Sequence, residues 1–108
     1  MDMVNRFEVY LVSLDPTYGS EIKKTRPCLV ISPNEMNHAL RTVLVAPMTT
    51  TLRNFPTRVR TTFQGTKGDI ALDQMRSVDK KGRLVKNIGT IDQKTAKKVL
   101  LVLQQMFA

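Results

Sequence analysis

The sequence predicts a small, mainly β domain, a strongly bent sheet or partly open barrel with one helix packed over it. Three observations lead there. Short apolar runs of strand length recur between residues 8 and 88. Proline, glycine and polar clusters separate them, as turns require. Only beyond residue 90 does the hydrophobic period change from that of a strand to that of a helix.

Residues 8–14 alternate as a first strand, with Val9, Leu11 and Leu14 nearest the core. A polar loop follows from 15 to 25. Residues 27–32 are nearly all apolar and predict a second strand buried on both faces, and Pro33 stops it because proline cannot continue a ladder. Residues 34–39 suit a turn or short helix. Strands are expected over 42–47 and 56–62, joined by the polar loop 49–55. Gly65-Thr-Lys-Gly-Asp69 reads as a turn, followed by short strands at 70–72 and 76–78, or by one bent strand over both. Gly82 marks another turn, and 84–88 a last strand. Thr90-Ile-Asp-Gln93 fits a capping box. Ala96, Val99, Leu100, Leu103, Met106 and Phe107 then form one apolar stripe on a helix of about four turns. Lys94, Lys97 and Lys98 lie mostly off that stripe, and so does Leu101, as an exposed residue or a partner contact.

Composition narrows the function. At 108 residues the chain is one domain, 1–108, with a single core. No apolar run approaches a membrane span, and the N-terminus has neither the basic head nor the apolar block of a signal peptide. One cysteine, Cys28, excludes an internal disulfide and suits a reducing compartment, so the cytoplasm is the expected location. One cysteine and one histidine do not make a zinc site of the usual kind, and no metal or cofactor is expected. The net charge of +8 favours a polyanionic partner or simply a well-solvated surface. Residues 1–54 hold six basic and five acidic side chains, whereas 55–108 hold eleven and four. The excess is spread along the second half and forms no basic tail.

Three polar sites stand at strand ends. In Asp15-Pro-Thr-Tyr-Gly-Ser-Glu21 and Thr25-Arg26-Pro27, Arg26 enters the buried strand with an extended backbone, because it precedes proline. A cation fixed there can hold a phosphate; its bland alternative is an ion pair with Glu21 or Asp15. Val45-Ala-Pro-Met-Thr49-Thr50 places hydroxyls that suit a phosphate's oxygens or cap a turn. Leu72-Asp73-Gln74-Met-Arg76 adds a carboxylate and an amide; Asp73 acts as a base or a turn acceptor, and Gln74 offers a base edge both a donor and an acceptor.

These three motifs, in this order and at these intervals, resemble the MazF/PemK family of toxin endoribonucleases from type II toxin–antitoxin pairs, the Kid-like toxins among them. The resemblance runs over nearly the whole chain. It implies an SH3-like barrel with a C-terminal helix, working as a homodimer. It implies sequence-specific, metal-independent cleavage of single-stranded RNA, mRNA included, by attack of the 2′-hydroxyl on the adjacent phosphate, with inhibition of translation and growth. A cognate antitoxin would block the site with an acidic, disordered tail. Carried over by position, the catalytic set is Glu21, Arg26, Thr49 and Asp73, and the RNA-binding set is Ser20, Lys24, Thr50, Arg53, Gln74 and Arg76. The Kid branch has histidine where this chain has Ser20 and arginine where it has Ala71, so its acid and base roles do not transfer whole, and Arg26 carries more of the cationic work.

The chemistry fits that reading. Cleavage through the 2′-hydroxyl needs a proton acceptor, charge stabilisation on the phosphorane, and a proton for the leaving 5′-oxygen. Glu21 is the first candidate base and Asp73 the second. Two rivals come from other classes: a non-catalytic nucleic-acid-binding module, and a CcdB-like gyrase poison on the same superfold. The first is weakened by few aromatic residues, with no tryptophan and no stacking cluster. Arg26 and Thr49 favour the nuclease over the second.

Overall fold

The computed structural model describes residues 3–108. In chain order the elements are β1 (Glu8–Ser13), β2 (Thr25–Val30), α1 (Asn34–Ala39), β3 (Thr42–Thr49), β4 (Arg58–Phe63), β5 (Thr66–Ala71), a 3-10 turn (Leu72–Gln74), β6 (Arg76–Asp79), α2 (Lys80–Arg83), β7 (Leu84–Thr90) and α3 (Gln93–Met106). Among the described residues the strands make one seven-stranded antiparallel sheet, ordered β4-β5-β3-β2-β1-β7, with β6 paired to β3.

The curl of the sheet comes from β3. Its start pairs with β6 (Val43 opposite Val78), its middle with β2 (Val45 opposite Val30), and its end with β5 (Thr49 opposite Asp69). One strand that changes partners along its length must bend, and the result is a half-barrel. The edges β4 and β7 share no ladder among the described residues, although Gln64 Nε2 reaches across to donate to the Ile88 carbonyl at 2.6 Å.

The all-apolar run in β2 is buried on both faces, as expected. Leu29 joins a cluster with Val9, Ala46, Val59, Ile70 and the helix residues Ala96, Val99 and Val102. Cys28 and Val30 join the opposite cluster with Tyr10, Val12, Val43, Val45 and Leu84. Full burial of a side chain such as Leu29 or Val99 contributes about 1.5–3 kcal/mol. In β1 the strand alternation sends Leu14 to the second cluster with Tyr10 and Val12, while Leu11 is only half-buried.

Three local expectations change. Residues 66–69 are strand, not turn: β4 and β5 meet in a two-residue hairpin at Gln64-Gly65, whose φ values of 50° and 81° are the positive pair such a turn needs. Residues 70–72 and 76–78 stay separate, as the first of the two expected forms has it, but Leu72 belongs to the 3-10 turn that parts β5 from β6. The helix cap is Asp92, not Thr90. Asp92 accepts from the Thr95 amide at 3.1 Å, while Thr90 still pairs with Glu8 in the sheet. The buried face of α3 is accordingly Thr95, Ala96, Val99 and Val102. Thr95 is satisfied by the Thr61 hydroxyl at 3.0 Å. Phe107, expected in the stripe, caps the helix and is 73% exposed. Leu101 is exposed, as its position off the stripe predicts.

Gly68 is where β5 comes closest to β3. A Cβ there would stand 2.7 Å from the Thr49 carbonyl oxygen. Gly68→Ala should therefore destabilise the protein by about 1–3 kcal/mol through overpacking, and displace Thr49. Gly82→Ala, where a Cβ meets nothing within 4 Å, is the control. Thermal melts of the two variants check this. Equal melting of both would show that the β3–β5 approach tolerates a methyl group.

Candidate active site

Arg26 is the second residue of β2 and lies opposite Val12 of β1. Its Nε donates to the Lys23 carbonyl at 2.9 Å, which fixes the plane of the guanidinium. Among the described residues it forms no ion pair, so neither Glu21 nor Asp15 neutralises it. Thr49 ends β3. Its Oγ1 accepts from the Thr51 amide at 3.1 Å, which makes the turn and leaves the hydroxyl proton to be donated elsewhere. Glu21 stands on the loop between β1 and β2, and its Oε1 accepts from the Tyr18 amide at 2.6 Å. That bond occupies one carboxylate oxygen and leaves the other.

These groups line one groove of about 530 Å³, together with Ser20, Thr50, Arg53, Asp73 and Gln74. An adjoining groove of about 680 Å³ shares Ser20, Glu21, Asp73 and Gln74 and adds Tyr18 and Arg76. Lys24 lines neither; its backbone N–H donates to Asp15 Oδ1 at 3.2 Å, within the loop. The structure thus brings together nine of the ten site residues read from the sequence.

Asp73 and Gln74 are engaged in ways the sequence does not show. Arg58 grips Asp73 with both Nε (2.7 Å) and Nη2 (3.2 Å), and the Thr57 hydroxyl donates to it at 3.2 Å. Burial raises the Asp73 pKa, but these bonds outweigh it and hold the carboxyl below its usual value. A carboxylate so stabilised is a weak base. The Gln74 amide oxygen accepts from the Ile22 backbone N–H at 2.8 Å. That bond uses one of the two lone pairs of the carbonyl oxygen and ties the side chain to the loop, leaving the amide NH2 and the second lone pair.

Arg58 is the site residue that sequence reasoning missed. It is the first residue of β4, as Arg26 is the second of β2, lines the 530 Å³ groove, and packs over the Phe55 ring at 5.2 Å. That shared position at a strand entrance was the available signal. Across the ladder from it lies Ala71, which is fully buried; the cation at this corner comes from β4. Beneath Arg53, Asp69 is 1% exposed and accepts from the Arg53 amide (2.7 Å) and from Arg60 Nε (2.9 Å). Burial alone would raise the pKa of Asp69, yet these donors depress it. Asp69 thus anchors the loop that carries Thr50 and Arg53. Among the described residues, no three His, Cys, Asp or Glu side chains converge as a metal site.

A family model described as "PemK-like, MazF-like toxin of type II toxin-antitoxin system" matches residues 5–107. The endoribonuclease PemK of Escherichia coli is 32% identical over 102 residues, which cover 90% of this chain and 77% of PemK. The crystal structure of MazF from Deinococcus radiodurans superposes with a TM-score of 0.84, covering 97% of this chain and 96% of that one; at 22% identity it speaks for the fold. A mycobacterial endoribonuclease, solved in complex with its cognate antitoxin, is 26% identical with a TM-score of 0.81, covering 96% and 94% of the two chains. With the family model spanning nearly its full length and that degree of identity to PemK, the chain belongs to the PemK-like, MazF-like toxins of type II toxin–antitoxin systems.

Proposed function

We propose that this protein is a sequence-specific endoribonuclease toxin that cleaves single-stranded RNA, mRNA included, in the 530 Å³ groove. The observation that carries the reading is Arg26: a cation fixed at a strand entrance, paired with no carboxylate among the described residues, beside the Thr49 hydroxyl and Glu21. Its relatives named as endoribonucleases support the same reading. In the reaction the 2′-oxygen bonds to the adjacent phosphorus and the bond from phosphorus to the 5′-oxygen breaks. Glu21 takes the 2′ proton. Arg26 and the Thr49 hydroxyl stabilise charge on the phosphorane oxygens. The departing 5′-oxygen takes its proton from solvent water in the open groove, since the high pKa of arginine suits Arg26 to holding charge more than to giving a proton up. Because these side chains supply base and electrostatic stabilisation, the reaction needs no metal.

Purified protein should cleave single-stranded RNA in EDTA and leave 2′,3′-cyclic phosphate and 5′-hydroxyl ends. Duplex RNA should resist, because its paired bases and fixed backbone keep the 2′-hydroxyl out of line. Cleavage lost in EDTA and restored by magnesium would overturn the mechanism.

The acting unit in this proposal is a homodimer in the cytoplasm, neutralised by an antitoxin with an acidic, disordered tail. A chain of charge +8 attracts such a tail as it attracts RNA, and one solved relative is described in complex with its cognate antitoxin. An Asp/Glu-rich peptide should compete with RNA and lose affinity as salt rises. Inhibition that excess RNA cannot relieve would sink the shared groove, and sedimentation showing an active monomer would sink the dimer.

A further inference from the structure

The loop between β1 and β2 carries Glu21 but has little packing of its own. From Asp15 to Lys24 only Thr17 and Ile22 are even half-buried; the rest are exposed. Side chains from the chain segment 74–83 hold it instead. Arg76 Nη1 donates to the Leu14 carbonyl at 3.0 Å, and Arg83 Nη1 donates to the carbonyls of Ser13 (3.1 Å) and Asp15. These bonds grip the entrance of the loop. Between Tyr18 and Ile22 the bonds among the described residues are local, such as Glu21 to Tyr18, with one exception: the Ile22 amide donates to Gln74 Oε1 at 2.8 Å. Ile22 follows Glu21 directly.

The anchor on the other side is firm. Gln74 ends the 3-10 turn, and its neighbour Asp73 is locked by the two-pronged bond from Arg58. A short chain of contacts therefore runs from β4 through Arg58, Asp73, Gln74 and Ile22 to Glu21.

We infer that Gln74 is a positioning residue: its amide oxygen latches the Ile22 backbone and sets where Glu21 stands in the groove. The inference rests on the proposed role of Glu21 as base. It assigns the Gln74 side chain to the loop and not to reading a nucleobase through its acceptor.

Two readouts test it. Amide hydrogen exchange by NMR on the protein without RNA reports the latch directly. Gln74→Ala should speed exchange at Ile22 by about tenfold, the effect of losing one hydrogen bond, with core amides such as that of Val45 unchanged. Cleavage kinetics report its consequence. Gln74→Ala should lower kcat by roughly 10- to 100-fold, with KM little changed, as for a misplaced catalytic group. On a Glu21→Gln background the same change should cost almost nothing more, since the group it positions is already disabled. Gln74→Glu keeps the acceptor and should retain both Ile22 protection and most of kcat, with a higher KM from the added negative charge.

Unchanged Ile22 exchange in Gln74→Ala would overturn the latch. A loss as large on the Glu21→Gln background as on the wild type would overturn the link to Glu21. Gln74→Glu that protects Ile22 yet loses kcat would assign the residue to base reading instead. Because exchange is measured without RNA, a wild-type protein that cleaves nothing would sink the proposed reaction and leave the latch to be judged on exchange alone.

Discussion

Arg26→Ala should lower the cleavage rate by about 10²–10³, the usual loss when one preorganised charge stabiliser is removed. The fold should survive, because Arg26 lies at the entrance of β2 and the buried part of that run begins at Cys28. Circular dichroism and a thermal melt establish that. Arg26→Lys should recover little. The Nε–H that fastens the guanidinium to the Lys23 carbonyl is absent from lysine, as is the planar fork that matches two phosphate oxygens. Single-turnover rates at saturating RNA separate this from weaker binding: the loss should fall on kcat. Near wild-type turnover in Arg26→Ala would remove the centre of the proposal.

Glu21→Gln should cost about 10²–10⁴ in rate, the range for losing a general base. The substitution is well suited to the question because the glutamine carbonyl can still accept from the Tyr18 amide, so the local turn persists. Only the capacity to take a proton goes. Asp73→Asn is the comparison. Asp73 is held ionised by Arg58 and Thr57, so its loss should disturb the corner of the groove more than the proton transfer. If Asp73→Asn removes turnover and Glu21→Gln keeps it, the two carboxylates have been assigned the wrong way round.

Much of the fold is legible in the sequence because its main signals are local. The unbroken apolar run at Cys28–Ile31 announces a strand covered on both sides, and clusters do cover it on both sides. The residues 65–69 mislead for a physical reason. Two glycines three apart look like a turn, but Gly65 supplies a positive φ to a hairpin and Gly68 lets β5 approach β3. The helix face is misjudged because periodicity counts apolar residues only. Thr95 is buried through its bond with Thr61, and Phe107 falls beyond the last turn.

The site divides along the same line. Arg26 and Thr49 can be picked out because strand ends are visible in sequence. The engagement of Asp73 by Arg58 and of Gln74 by Ile22 cannot, since the partners are 15 and 52 residues apart and only the folded sheet brings them together. Lys24 is the opposite case. The resemblance placed it in the RNA-binding set, but it lines neither groove.

Cys28 has a use at the bench. The chain has one thiol, fully enclosed within the sheet, and burial pushes its pKa up to about 12 despite the nearby Arg26 and Arg76. Maleimides and iodoacetamides react with exposed thiolate, which this residue does not offer at neutral pH. A cysteine introduced on the surface would then be the sole reactive handle, with no need to delete the native one. A fluorophore placed at Lys24, beside but outside the grooves, would report the arrival of RNA or peptide in an otherwise unaltered protein.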